Sequence, residues 1–253
     1  RIIDEFAEAG VDTSQVVFSD DMITPLASVL VNRLTGSRTI ITRKMQTPPS
    51  LTYEQKLKLD DLAERLIASE EPVTILIDGH EAEISEYLIK KLPNARVVMD
   101  GGSLRASNIK LAAWTDYFVV SEHFARDYMS YRSLSTEAEI KAALIELNKI
   151  CRGEAFITLG EKGCAFLKSG MLQIVPSWLC NAVDTTGAGD VFHGAFTYGV
   201  HYSWHIDNII LFASLTAAIS IEKKGVRESM PDLAVVHHSL NSYERNLTQY
   251  FEE

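Results

Sequence analysis

Between residues 53 and 176, short apolar runs alternate with segments of helical periodicity, and this alternation restricts the folds open to the chain. The apolar runs that predict strands lie at 73–78, 95–100, 116–120 and 155–160, with a hairpin at 164–176. The helical segments lie at 53–68, 81–92, 122–130, 136–149, 189–202, 206–222 and 233–250. Strands that alternate with helices favour a doubly wound, mostly parallel sheet. The run at 73–78, VTILID, is almost continuously apolar, which is typical of a strand covered on both faces.

The first fifty residues have a different pattern. A short helical segment, with Ile2 and Phe6 at helical spacing, precedes two β-rich runs at 28–32 and 39–42. A turn at 35–37 joins the two runs, so we predict an antiparallel hairpin that is an appendage to the parallel sheet.

Composition and charge exclude several classes of function. The chain has 253 residues, enough for one large α/β domain or two small ones, of which 46% are hydrophobic and 23% charged. A net charge of −10 provides no basic surface for nucleic acid or an anionic membrane. The apolar stretch 211–221 is too short to cross a bilayer. The three cysteines form no CxxC pair, so we expect neither a zinc site nor a disulfide framework, and a reducing, cytoplasmic location.

Polar or glycine-rich residues follow the predicted strands. The segments are 78–80, 100–102, 121–122 and 160–163. Open α/β sheets bind their ligands at the carboxyl ends of the strands, so we expect these segments to line one cleft.

The most specific stretch is VDTTGAGDVFHGAF at 183–196, which places Asp190 after three small residues at the start of a helix. Exposed amides of Gly187, Ala188 and Gly189 at a helix N-terminus can hold an anion. A carboxylate beside such amides fits phosphoryl transfer, where the amides stabilise charge and Asp190 accepts the proton of the attacking hydroxyl. The alternative is that Asp190 only caps the helix. The side chain of His193, one turn later, is expected to point into the packing between helices.

This stretch resembles the signature of the ribokinase-like sugar kinases, the PfkB carbohydrate kinase family, through Asp184, Thr185, 187–189, Asp190 and 194–196. The resemblance is nearest to the ketohexokinase branch. It implies a three-layer α/β/α domain over 1–253 with a small β-sheet lid at about 20–45, and a homodimer formed through that lid. The activity it implies is transfer of the γ-phosphoryl group of ATP to a hydroxyl of a small sugar, a ketose or a pentose. Asp190 would be the base, the amides of 187–189 the anion hole, and Mg²⁺ would travel with ATP.

The resemblance also implies binding roles for other residues. The nucleotide contacts would be Thr158, Gly160, Lys162, Gly163 and Ala217. A monovalent cation, K⁺, would be held by Asp184, Thr186, Ser220, Lys223, Gly225 and Ser229. For the sugar, the candidates are Asp184, His80 after a strand and Arg38 in the hairpin. Solvated surface roles are the alternatives for His80 and Arg38.

Two departures from the family pattern leave other functions open. The Asn-x-x-Glu motif that organises magnesium waters is replaced by Ser-Glu-His-Phe at 121–124. The family's first strand, its glycine-rich turn and a sugar-binding aspartate would precede residue 1, so we expect the 253 residues to bind ATP but to phosphorylate sugar poorly. The alternatives are a nucleoside kinase and a non-catalytic sugar- or nucleotide-binding regulator of the same fold.

Overall fold

The computed structural model describes residues 2–18, 26–31, 38–43 and 50–240, with only the backbone of Val31, Arg38 and Ile40. The chain divides into two compact units, Arg1–Glu64 and Arg65–Glu253. The turn predicted at 35–37 and the rest of the predicted lid, 20–25, 32–34 and 44–45, lie outside the described residues, as does 241–250 of the last predicted helix.

The first unit contains a helix, a hairpin and the start of a second helix. These are α1 (Ile2–Glu8), β1 (Ala27–Val31), β2 (Arg38–Thr42) and α2 (Tyr53–Ala68). The two strands are antiparallel, as predicted, with Ser28 opposite Ile41 and Leu30 opposite Thr39. Helix α2 begins where the side chains of Thr52 and Gln55 each accept a hydrogen bond from the other residue's backbone N–H, a reciprocal cap.

The second unit is built on one six-stranded sheet. Its strands are β3 (Thr74–Ile77), β4 (Arg96–Gly101), β5 (Tyr117–Ser121), β6 (Glu154–Thr158), β7 (Cys164–Lys168) and β8 (Met171–Val175). They lie side by side in chain order. The first four are parallel, and β7 and β8 continue the sheet antiparallel.

Helices cover both faces of this sheet. They are α3 (Ala82–Lys91), α4 (Ala106–Ala112), α5 (Glu122–Tyr128), α6 (Glu137–Asn148), α7 (Ala188–His201) and α8 (Ile206–Ser220), with further helical backbone at 233–240. Val97 and Met99 of β4 pack with α3–α6, whereas Val98 between them packs with α7 and α8. Since side chains alternate along a strand, this division confirms the three-layer α/β/α arrangement.

Helix α7 is fixed to its layer by aromatic side chains and at its C-terminal end by an arginine. The ring of Phe196 lies 5.3 Å from that of Phe156 on β6 and 5.8 Å from that of Tyr117 on β5. Arg96 donates from one guanidinium nitrogen to the carbonyl oxygens of Val200, at 2.6 Å, and His201, at 3.2 Å. These two carbonyls are among those that a helix leaves without intrahelical partners.

Two expectations about this unit were wrong. The apolar run at 73–78 is not covered throughout, because β3 is at the edge of the described sheet and the side chain of Leu76 is 43% exposed. Helix α4 was not predicted. It has only seven residues, and Arg105 at its N-cap makes no capping side-chain hydrogen bond.

Candidate functional site

Hydrogen bonds join the carboxyl ends of three neighbouring strands. The hydroxyl of Ser121 donates to the carbonyl of Gly102 at 2.9 Å and accepts from the backbone N–H of Phe124 at 3.0 Å. The hydroxyl of Thr158 lies 3.4 Å from the carbonyl of Val120, to which it donates. The segments after β4, β5 and β6 therefore share one edge of the sheet, as predicted.

The glycine stretch begins α7 at the same edge. Gly187 is the N-cap residue, with a left-handed φ of 75°, and as a glycine it provides no capping side chain. A Cβ on Gly187 would lie 2.4 Å from Cγ1 of Val226, whereas one on Gly189 would meet no atom within 4 Å. The N–H of Ala188 is 3.4 Å from the carbonyl oxygen of Thr185, a long hydrogen bond. The start of α7 thus has open space next to Gly189, whereas Gly187 lies against Val226.

Asp190 lies in the first turn of α7 and is exposed. It is not the cap of the helix, so the capping interpretation has no support in the described structure. The pKa of its carboxyl group is raised, first because neighbouring atoms remove part of its hydration and then because of the charges of Asp100 and Asp78. His193 acts in the opposite direction and lowers that pKa. The charges of Asp78, which follows β3, and of Asp100, at the end of β4, therefore both act on Asp190 at the start of α7.

His193 is buried, with 3% of its surface exposed. Its Nδ1 lies 2.7 Å from the carbonyl oxygen of Gly189 and 3.4 Å from a carboxylate oxygen of Asp100. Its Nε2 lies 3.2 Å from the carbonyl oxygen of Val119. We expected His193 to pack in the interior, and its side chain is indeed buried. That expectation did not include the polar contacts with β4 and β5.

The segments around Asp184 and Gly225 meet, as the predicted cation site requires. Asp184 accepts hydrogen bonds from the N–H groups of Thr186, at 3.0 Å, and Gly225, at 3.3 Å. The carbonyl of Ile221 accepts from the N–H groups of Val183 and Asp184. The carboxylate of Asp184 therefore joins the two loops.

The remaining predicted cation ligands lie around these loops. The hydroxyl of Ser220 donates to the carbonyl of Ala217 at 2.8 Å, and that of Ser229 to the carbonyl of Val226 at 3.3 Å. The side chain of Lys223 is exposed. No described group of three His, Cys, Asp or Glu side chains is placed to hold a metal ion.

The predicted nucleotide turn follows β6 as a short 3₁₀ helix, Gly160–Lys162. Gly160 has a φ of 60° and is exposed, and Lys162 is also exposed. Gly163 is buried, and a Cβ there would lie 1.9 Å from the carbonyl oxygen of Val175, so this glycine serves close packing of the turn. Thr158 and Ala217 are half-buried.

The three sugar candidates have different surroundings. Asp184 joins the loops described above. His80 is exposed, and its N–H donates to a carboxylate oxygen of Asp78 at 2.9 Å. The amide of Asn108, which is fully buried, supports this turn by donating to the carbonyl of Asp78 at 3.1 Å. Arg38 belongs to the first unit, and its side chain lies outside the described residues.

Sequence reasoning missed the roles of Asp78, Asp100 and His193. The segments of the two acids were expected at the cleft, but no effect on Asp190 was assigned to them. Asp100 alternates in step with Val98, which would have placed it on the α7 side of the sheet. For His193, its spacing of three residues from Asp190 was the available signal.

Other predictions concern the rest of the chain. No helix in the described ranges is long and apolar enough to cross a membrane. The three cysteines are free thiols, and burial raises the pKa of Cys164 to about 12 and that of Cys151 to about 11.

Known proteins resemble this chain in sequence and in fold. A family model described as pfkB family carbohydrate kinase matches residues 1–233. The ribokinase of Lactococcus lactis is 29% identical over 189 residues, which is 75% of this chain and 60% of that protein. The structure of ribokinase from Giardia lamblia superposes with a TM-score of 0.76 at 21% identity, over 96% of this chain and 78% of that one.

A second solved structure, Arabidopsis thaliana ribokinase complexed with ribose and ATP, superposes with a TM-score of 0.67 at 21% identity. The match covers 85% of this chain and 68% of that one. These two structures confirm the fold, and the family model matches more than nine-tenths of the sequence. The chain belongs to the pfkB family of carbohydrate kinases.

Proposed function

We propose that this protein is an ATP-dependent sugar kinase that transfers the γ-phosphoryl group to a hydroxyl of a small sugar. One observation carries the proposal: a helix N-terminus that begins at a glycine and has open space next to Gly189 also has an exposed carboxylate, Asp190, within its first turn. Amides at such an end stabilise an anion, and the carboxylate can accept a proton from an attacking hydroxyl.

The surroundings of Asp190 suit a general base. A carboxylate with a raised pKa holds a proton more strongly, so it accepts one more readily from a sugar hydroxyl in the transition state. The amides of 187–189 would stabilise the charge on the transferring phosphoryl group. Transfer requires the attacking hydroxyl to lie in line with the phosphorus, about 3–3.5 Å from it. A base and an anion hole within one helical turn would suit this geometry.

The residues assigned to the nucleotide are Thr158, Gly160, Lys162, Gly163 and Ala217. Gly160 and Lys162 are exposed beyond β6, where a phosphate chain could reach them. Mg²⁺ neutralises charge on the transferring phosphates in such reactions. We propose that it is held through water and the nucleotide.

Family membership supports a sugar acceptor, and the Arabidopsis relative was solved with ribose and ATP. Asp184 and His80 are proposed sugar contacts, His80 because it follows β3 next to Asp78. Arg38 is proposed as a third contact from the hairpin. A ketose and a pentose both fit this description.

The experiment tests the full-length protein with ATP against a panel of ketoses, pentoses and nucleosides, and measures ADP release and phosphorylated product together. Turnover of a ketose or a pentose supports the proposal. Turnover of nucleosides alone would identify a nucleoside kinase. Binding of sugar or nucleotide without product would identify a regulator.

A monovalent cation is proposed between the loops that Asp184 joins. Loop carbonyls there could bind K⁺ with Asp184, Thr186, Ser220, Lys223, Gly225 and Ser229, several of them through backbone oxygen. A cation next to Gly187 would order the amides of the anion hole. The rate should therefore rise with K⁺ at constant ionic strength. Equal rates in K⁺ and in a large organic cation would contradict this site.

The hairpin β1–β2 is proposed as the lid and the contact of a homodimer. Leu30 and Ile41 lie on the same face of the hairpin, and each is 58% exposed. An exposed apolar face of this kind is typical of a surface that binds another protein. Replacing both residues with Ser should convert a dimer to a monomer in analytical ultracentrifugation. A wild-type protein that sediments as a monomer at high concentration would contradict the dimer.

A further inference from the structure

His193 contacts three oxygen atoms from three elements. The carbonyl of Gly189 belongs to the first turn of α7, Asp100 to the end of β4, and the carbonyl of Val119 to β5. Asp100 and Val119 are direct neighbours across the parallel pair β4–β5. The ring therefore joins the start of the catalytic helix to two adjacent strand ends.

Both ring nitrogens face acceptors. A neutral imidazole has one N–H donor and one lone pair, so in either tautomer one lone pair would face an oxygen atom. Only the imidazolium form donates from Nδ1 and from Nε2 together. Burial of that charge requires a counter-charge, and Asp100 provides one at 3.4 Å.

The charges around the ring are few and largely acidic. Asp100 comes from β4 and Asp190 from the same helix, while Asp78, beyond β3, acts on Asp190. Strand β5 contributes the Val119 carbonyl. The one charged residue of α8, Asp207, is paired with Lys168. Among the described residues that act on Asp190, His193 is the one that lowers its pKa, against the effect of the two acids.

We propose that His193 is a positioning residue of the phosphoryl-transfer site. Its ring holds the first turn of α7 against the ends of β4 and β5 by donating from both nitrogen atoms, with the carboxylate of Asp100 as the counter-charge. The inference rests on the proposed kinase function. It adds a role for a residue that touches neither substrate nor reacting atoms.

Two variants separate the contributions of the two ring nitrogen atoms. His193→Asn retains a donor near the position of Nδ1, and His193→Gln retains one near Nε2, but neither carries a charge. His201→Gln is the matched control, because it removes a histidine from the far end of the same helix, where Nδ1 lies 3.3 Å from the hydroxyl of Thr74. Circular dichroism establishes that each variant is folded.

The kinetic readout is kcat/KM of the active sugar as a function of pH. We expect both His193 variants to lose about 10–100-fold at neutral pH, because a small misplacement of base and anion hole is costly. The acidic limb of the profile, which reports ionisation of Asp190, should also move to higher pH when the positive charge is lost. His201→Gln should leave that limb in place. If both His193 variants keep the wild-type limb, the proposal is wrong.

The second readout needs no turnover. Long-range ¹⁵N–¹H NMR spectra of the wild-type protein at pH 7 should show both nitrogens of His193 protonated, and Asp100→Asn should abolish that state. A neutral ring in the wild-type protein would overturn the proposal. A wild-type protein with an imidazolium at His193 but no sugar kinase activity would refute the proposed function, and leave this test of the ring's charge intact.

Discussion

The two ends of α7 differ in their electrostatics. At the C-terminal end, where carbonyls without intrahelical partners carry partial negative charge, Arg96 donates to the oxygen atoms of Val200 and His201. At the N-terminal end, the helix dipole favours the carboxylate of Asp190, yet desolvation and two further acids raise its pKa. At the C-terminal end a positive side chain meets the negative end of the helix dipole, whereas three acids and one histidine act at the N-terminal end.

The C-terminal end of α7 therefore acts as an anchor that attaches the helix to the sheet, whereas the N-terminal end belongs to the candidate site. An arrangement selected for stability alone would not leave the carboxyl group of Asp190 partly desolvated and next to further acids, because both disfavour its ionisation. Stored unfavourable energy of this kind is typical of functional sites. The rest of the helix is firmly attached, with the ring of Phe196 packed against those of Phe156 and Tyr117 in the core.

The largest effect should come from removing the carboxylate at the N-terminal end. Asp190→Asn preserves size and removes the proton acceptor, so we expect kcat to fall by about 10²–10⁴ while ATP affinity changes little. Single-turnover phosphoryl transfer and ATP titration measure the two quantities. Asp207→Asn, in the first turn of α8, is the control and should leave kcat unchanged. A rate for Asp190→Asn within a few-fold of wild type would mean that another group is the base.

The next largest effect tests the backbone of the same end. In Gly187→Ala the new Cβ would meet Val226 at 2.4 Å and force an alanine to a φ of 75°. We expect a loss of about 2 kcal/mol in the free energy of unfolding, measured with urea, because left-handed backbone and overpacking both cost energy. Gly189→Ala is the matched control, with no atom within 4 Å, and should not lower stability. Equal stabilities for the two variants would refute the close approach to Val226.

At the anchored end, Arg96→Met should affect stability and leave chemistry unchanged. The variant keeps the length of the side chain but loses two charged hydrogen bonds to the helix carbonyls. We expect a loss of about 1–2 kcal/mol in the free energy of unfolding, with kcat within about twofold of wild type. If kcat falls as much as in the Asp190 variant, the separation between anchor and site is wrong.

The smallest effect has the opposite sign. Because the pKa of Asp190 is higher in the folded protein than in the unfolded chain, its ionisation destabilises the fold as pH rises through the folded pKa. Asp190→Asn should therefore melt about 1–3 °C higher than wild type at pH 7. The difference should disappear below about pH 4, where the unfolded carboxyl is protonated as well. A lower melting temperature at pH 7 would show that Asp190 stabilises the helix.

Local pattern was sufficient to predict most of the fold. Alternating apolar runs and helical periodicity predicted the parallel strands, the hairpin β1–β2 and the helices of more than ten residues. The edge position of β3 was not predictable, because VTILID has the same composition whether or not Leu76 is covered. Helix α4 is short and lacks a capping side chain, so the sequence contains little signal that would predict it.

The candidate site was predictable where its parts are close in sequence. Gly187, Gly189 and Asp190 belong to a single stretch, and their placement at one helix end follows from that stretch. His193 has partners on β4 and β5, and its ring contact with Val119 spans 74 residues. Only the assembled sheet brings these groups together.

The chain-order arrangement of β3 to β8 also bears on how the molecule forms. Each strand can add to the strand that precedes it, so the sheet is able to grow from contacts of modest sequence separation. The start of α7 comes after all six strands, and its attachment through His193 needs β4 and β5 already side by side. An intermediate that has formed only the sheet would therefore lack the arrangement of α7 on which the proposed function rests.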